Sequence, residues 1–316
     1  MDNIANGWMW LGFTVFVFVA LYIDHAVQKN HGPAASVRAA TTWTLIWVAA
    51  ALLFNLFLWA YLYVTTNPLY AYDNALKFFT GYLIEKSLSV DNLFAFYMIF
   101  HQFHIPPKYQ QRVFSIGIWS AIILRLLVIL LFTWLVMEFH WLLLVMGGFL
   151  VVTGLKMALM KEKEKDLTET LTIRIFKKIF RLTPDFDGDH FFTRKNGLLY
   201  ATPLFLTLIF IELSDVVFAF DSIPAIFSIT RDPFIVWSSN IFAILGLRAL
   251  YFLLARMADR FHLLKYGIAI ILMYVGVKLM IAPWWHIEVL HSLGVIAFVL
   301  TTFVALSLWR TPKHGV

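Results

Sequence analysis

Cysteine is absent from the 316 residues. That excludes disulfide frameworks, thiolate metal sites and cysteine nucleophiles. Charge is scarce too: 14% of the residues are Asp, Glu, Lys or Arg, where a soluble domain carries about 25%. Set against 61% apolar residues, that scarcity argues against a water-soluble globular enzyme. Aromatic residues reach 17%, which suits a surface facing lipid. The net charge of +6 would suggest nucleic acid if spread evenly. It is instead confined to alternate loops, so a bilayer and not a nucleic acid is the expected partner.

A membrane-spanning helix needs about 20 mostly apolar residues, because the hydrocarbon core is about 30 Å thick. Nine segments meet that template, at about 8–27, 41–64, 77–100, 113–137, 140–160, 198–229, 234–256, 263–282 and 288–309. The expected fold is therefore all-α and polytopic. Residues 1–8 lack the basic stretch of a removable signal peptide, so the first span is expected to be retained. Successive loops on one side hold 2, 2, 9 and 3 Lys or Arg residues, with 2 more in the C-terminal tail. The other side has Lys77 and Arg231 alone. This bias predicts an external N-terminus and a cytoplasmic C-terminus. Trp8, Trp10, Trp141, Trp237, Trp284, Trp285 and Trp309 fall near span ends and read as an interfacial belt.

The one long polar loop covers 161–197. Within it Leu167, Leu171, Ile175, Ile179 and Leu182 recur at helical spacing among basic residues, which predicts an amphipathic helix on the inner leaflet. Asp185, Asp187, Asp189 and His190 follow, with Asn196 where a calcium loop needs its twelfth-position Glu. They read as a solvated acidic turn, with transient cation capture as the alternative.

Ten charges lie inside the predicted spans: Glu85, Asp91, Glu212, Asp215 and Asp221, against Lys86, Arg125, Lys156, Arg248 and Lys278. Each costs about 2.5–3.5 kcal/mol at mid-bilayer on insertion scales. They are expected to face one another or a wet cavity. Asp24, near a span end where it can be solvated, is expected to play a structural role and is left out of the site.

The charged spans repeat. Asp91-Asn92-Leu93-Phe94-Ala95-Phe96 matches Asp215-Val216-Val217-Phe218-Ala219-Phe220, Arg125 matches Arg248, Phe139-His140 matches Phe261-His262, and Gly154-Leu155-Lys156 matches Gly276-Val277-Lys278. Each copy holds three spans, an odd number, so the copies are inverted across the membrane. Such halves are frequent in secondary transporters, and channels carry them too.

Glu212 and Asp215, three residues apart, share one helical face, and Ser222 aligns with Asp215. Ser214 lies between the two acids. Pro224 lacks an N–H and clashes with the carbonyl of Phe220, which predicts an opening around 220–223 that turns Asp221 inward. A plain kink, with Asp221 paired to a base, is the alternative. In the other copy Glu85, Ser89 and Asn92 share one face, and Ser87 and Asp91 share another. These are all oxygen donors, a set suited to a hard divalent cation such as Mn²⁺, Mg²⁺ or Ca²⁺. Arg125 and Arg248 are expected to hold the carboxylates when no ion is bound, with fixed scaffolding as the alternative.

GYLIEKSLSVDNLFAF (81–96) and IELSDVVFAFDSIPAIF (211–227), with HFFTRKNGLLYATPL (190–204) and NIFAILGLRALYFLLA (240–255), resemble the signatures of the TerC family of integral membrane proteins, in its Alx-type branch. The resemblance implies export of Mn²⁺ from the cytoplasm across a bacterial inner membrane, with links to alkaline stress and tellurium resistance. It carries Glu85, Asp91, Asn92, Glu212, Asp215 and Asp221 over as metal ligands. Ser89, Ser214, Ser222, Arg125, Arg248, Lys86, Lys156 and Lys278 are the expected supporting residues. The expected units are two N-terminal helices (1–76), a first three-helix repeat (77–160), the loop (161–197), a second repeat (198–282) and a last helix with its tail (283–316). No enzymatic activity and no cofactor are expected, Mn²⁺ being the substrate. The competing reading is a non-transporting assembly or stress-response factor.

Overall fold

The computed structural model describes residues 4–30, 37–139, 141–159, 180–195, 197–257, 263–285 and 287–310. Its elements are α1 (Gly7–Asn30), α2 (Val37–Thr65), α3 (Pro68–Gln102), α4 (Pro107–Glu138), α5 (Leu142–Leu159), β1 (Phe192–Lys195), β2 (Leu198–Ala201), α6 (Pro203–Phe227), α7 (Pro233–Ile244), α8 (Leu247–Met257), α9 (Leu264–Ile281) and α10 (Val289–Arg310). Starts are set by local chemistry. The Asn67 side chain accepts the amide of Tyr70, and Asp232 accepts those of Phe234 and Ile235. Each cap is followed by a proline at the first helical position, where a missing N–H costs nothing.

Among the described residues seven helices are long and apolar enough to cross a membrane, and α7 with α8 makes an eighth if that bent pair is one span. The segment expected as the remaining span lies in α3. At 35 residues it is about 52 Å long, but it carries too much charge to qualify by composition. Packing explains the charge: α2, α6, α7, α8, α9 and α10 all touch α3. A helix so enclosed does not have to dissolve in hydrocarbon. The outer helices do. Leu11, Val15, Phe18 and Tyr22 of α1, and Ile123, Leu127, Leu130 and Trp134 of α4, are exposed. Apolar patches of that extent are foreign to soluble monomers. The chain is a multi-pass, all-α membrane protein.

Two apolar clusters fill the bundle. In the first, Phe13, Phe54, Phe78, Phe234 and Phe242 join α1, α2, α3 and α7, with ring centroids 4.9–6.4 Å apart. In the second, Phe96, Phe100, Phe114 and Tyr251 join α3, α4 and α8. Along α6 the acids at 212–215 fall between these clusters, and along α3 the polar residues at 85–92 lie where the first cluster gives way to the second. The charges thus occupy a waist with apolar packing to either side.

α5 and α9 are in backbone contact. A Cβ on Gly147 would lie 2.7 Å from the Gly276 carbonyl, and one on Gly154 would lie 2.6 Å from that of Ala269. The 122-residue repeat offset turns the first contact into the second. The two helices therefore meet antiparallel and reciprocally, as small residues allow.

Four expectations need correction. The span at 198–229 begins later: β1 and β2 form an antiparallel hairpin, and the helix starts at Pro203. The Asn196-Gly197 pair is the turn signal, and Gly197 takes φ +77°. α6 runs unbroken through Pro224 to Phe227, because the proline stands in the last turn, where few ladder bonds remain to lose. The break falls at Leu245–Gly246, splitting the span expected at 234–256 with a 43° bend. Trp237 is buried in the core and is no interfacial residue, unlike Trp8, Trp141, Trp284, Trp285 and Trp309. The amphipathic helix expected through 167–179 lies outside the described residues. Leu182, at its end, bridges to Ala201, and the Asp185 carboxylate meets Lys195 at 2.7 Å.

Candidate functional site

Glu85 on α3 is fully buried, flanked by Ile84 and Lys86. A buried carboxylate needs a partner to stay ionised, and Arg125 of α4 supplies one. Arg125 Nη1 donates to Glu85 Oε1, and also to Asn240 Oδ1 of α7 at 2.7 Å. Its Nη2 donates to Asp215 Oδ1 of α6 at 3.2 Å. One guanidinium, 2% exposed, therefore ties four helices together. Two carboxylates against one guanidinium leave a net charge of −1 if all are ionised. Glu85 Oε2, Arg125 Nε and the Asn240 amide nitrogen have no hydrogen-bond partner among the described residues. The cluster is buried and, among the described residues, incompletely satisfied, the state in which removal of one member costs most.

Glu212 lies one turn before Asp215 on α6 and turns to α4, where its Oε1 accepts from Ser120 Oγ at 2.6 Å. Gly117, one turn earlier on α4, leaves it room: a Cβ there would be 3.4 Å from that oxygen. Asn92, Ser89 and Ser222 are buried, and the Ser222 hydroxyl has no partner among the described residues. Ser214 is spent on the carbonyl of Phe210. The backbone places Asp91 on α3 and Asp221 on α6, but their side chains lie outside the described ones. Among the described residues no three His, Asp or Glu side chains come close enough to hold a metal ion.

The basic residues divide. Arg125 is inside the cluster. Arg248, its counterpart by repeat, is not: its Nη2 meets Asp24 Oδ2 of α1 at 2.7 Å, and its Nη1 meets Ser115 Oγ at 3.1 Å. Asp24 is consequently buried in an ion pair and not solvated at the span end, which fits a structural role. Lys278 is buried and donates to Ser292 Oγ of α10 at 2.7 Å, away from the acids. Lys156 sits exposed in the last turn of α5 and takes no part. Lys86 turns to the carbonyl end of α7. Sequence reasoning missed Asn240, Ser120, Ser115 and the pairing of Asp24 with Arg248. Asn240 had a signal, since Ser238-Ser239-Asn240 interrupts an otherwise apolar span. A search for charges alone passes over it.

A helical bundle that buries an arginine between carboxylates inside its membrane-crossing region defines a polytopic membrane protein with an intramembrane polar site. More particularly, residues 70–315 match the family described as "Integral membrane protein TerC family", and the chain belongs to that family. It is 49% identical over 310 residues to "Putative membrane-bound redox modulator Alx" of Salmonella typhi, covering 98% of this chain and 96% of the relative. It is 47% identical over 315 residues to the protein of the same name in Escherichia coli K12, covering 99% and 98%. "Uncharacterized membrane protein STKORF319" of Myxococcus xanthus is 42% identical over 313 residues, covering 99% and 95%. No solved structure matches.

Proposed function

We propose that the protein transports a divalent cation, Mn²⁺, out of the cytoplasm by alternating access at the waist of the bundle, in exchange for protons. The observation that carries this reading is the meeting of Glu85 and Asp215, from helices related by the internal repeat, on one buried guanidinium. Membrane proteins keep such groups where ions or protons pass. Oxygen donors suit a hard cation, and a carboxylate can exchange a metal for a proton. Apolar clusters on both sides of the waist describe a closed state, in which one cluster has to part for the ion to enter. The reciprocal α5–α9 contact supports inverted halves with an axis between them. The choice of Mn²⁺, the outward direction and the inner-membrane location rest on the family resemblance.

A non-transporting assembly or stress-response factor is favoured by one specific observation: Arg125 holds both carboxylates, as a scaffold would. The redox role in the relatives' name finds no thiol here, because the chain has no cysteine. Metal flux into sealed vesicles under imposed pH gradients separates the readings. Transport predicts Mn²⁺ movement that follows the proton gradient and vanishes in Asp91→Ala and Asp215→Ala. Equal flux in the wild type, both variants and empty vesicles refutes it in favour of the second.

A further inference from the structure

The break between α7 and α8 has a chemistry of its own. α7 stops at Ile244, Gly246 takes φ +81°, and α8 leaves at 43°. A helix end exposes carbonyls that have lost their amide partners, and partial negative charge gathers there. The geometry is enforced. A Cβ on Gly246 would lie 2.7 Å from the Trp47 ring of α2, so glycine is needed both for the left-handed backbone and for the space. Into this end reaches Lys86 of α3, whose Nζ donates to the carbonyls of Ala243 at 3.1 Å and Leu245 at 3.4 Å. Those partners are neutral peptide oxygens. A single positive charge, held by two carbonyls at the end of a half-helix in the membrane region, resembles the arrangement in which broken helices hold monovalent ions.

We propose that the α7–α8 break is a monovalent cation site whose resident is the tethered ammonium of Lys86, and that removing this side chain uncovers a site for Na⁺ or an ion of like charge. Neutral carbonyl dipoles stabilise a cation without neutralising it, and stripping water from one charge costs less than from two, so alkali and ammonium ions fit the break better than the divalent cation proposed for the waist. Two cationic groups then fasten α3 to α7: Arg125 through Glu85 and Asn240, and Lys86 through the helix end. The site stands whether or not Mn²⁺ is carried. Only its consequence, that wild-type transport has no need of a second ion, rests on the transport reading.

Radioactive sodium binding to purified full-length protein in detergent tests the site without using Mn²⁺. Lys86→Met is expected to bind Na⁺ saturably at about one ion per chain. Wild type and Lys86→Arg are expected to bind at least ~10-fold less at the same concentration, because the charge is already in place. The melting temperature of Lys86→Met should rise in sodium chloride and stay flat in choline chloride. A monodisperse Lys86→Met protein that binds no more Na⁺ than the wild type overturns the proposal. Should that variant fail to fold, Lys86→Ala expressed with methylammonium or sodium in the buffer decides the matter. Folded protein recovered with those ions and not with choline supports the site, and recovery with none of them overturns it.

Discussion

Arg125→Gln is the perturbation that separates an ion site from a scaffold. In the folded protein Glu85 is fully buried and Asp215 nearly so, and both rely on this one guanidinium. Breaking a buried ion pair by removing one partner costs about 3–5 kcal/mol, because the remaining charge stays where water cannot reach it. For a chain of this length each kcal/mol moves the melting temperature by about 2 °C, so a fall of about 6–10 °C is expected. The charge of the cluster passes from −1 to −2, which a divalent cation matches. Mn²⁺ at about 100 times its dissociation constant returns about 2.7 kcal/mol, or about 5 °C. Thermal melting in detergent, with a chelator and then with Mn²⁺, reads both steps. The wild type should gain less from Mn²⁺, since Arg125 already occupies the carboxylates. A variant that melts with the wild type would show that the acids do not need the guanidinium. One that falls and gains nothing from Mn²⁺, Mg²⁺ or Ca²⁺ would show a scaffold, and the reasoning about ion exchange would be refuted.

Three further outcomes are expected. Gly147→Val must push α5 from α9, because its Cβ meets the Gly276 carbonyl at 2.7 Å; a loss of about 1–3 kcal/mol in thermal melting is expected. Gly148→Val, with nothing within 4 Å, should melt with the wild type. Gly246→Ala places a side chain at φ +81° and against Trp47. It should lose at least about 1–2 kcal/mol, while Gly12→Ala, in open space on α1, loses little by the same assay. Outside the membrane region, the Lys195 ammonium, by hydrogen bond and charge, holds the Asp185 carboxyl below the usual range for aspartate. A depressed carboxyl contributes above its unfolded pKa and is lost as pH falls through the folded one. Protection of the 192–201 hairpin amides, measured relative to their intrinsic exchange rates, should therefore stay level from neutral pH and fall only below about pH 4. A loss of protection already near pH 6 would contradict the pairing.

The helices were legible because lipid imposes a crude rule on every outward residue, and the long apolar runs obey it. α3 was legible in another way, through charges that only an enclosed helix can carry. What escaped was set by packing between distant segments. Pro224 announces a break in the chain and makes none, since it stands too near the end of α6, while the break falls at Gly246, with no proline beside it, where the backbone turns left-handed and Trp47 leaves room for glycine alone. The repeat matched Arg125 with Arg248, but matching positions do not choose partners. Arg125 found the acidic helices and Arg248 found Asp24, a residue the repeat does not contain. Glu85 and Asp215 were nameable as buried acids, whereas Asn240 and Ser120 carry no charge and draw notice only from across the bundle.

The family match begins at residue 70, yet the first helix is stitched to the rest at both extremities: the amide of Ile4 to Asp232 at 2.8 Å, and Asp24 to Arg248. Trimming the polypeptide to its recognisable portion would strand a guanidinium in the interior and strip Trp47 from the hinge. The described parts of α1 and α2 are thus walls of the same room, and any minimal version of this protein has to include them.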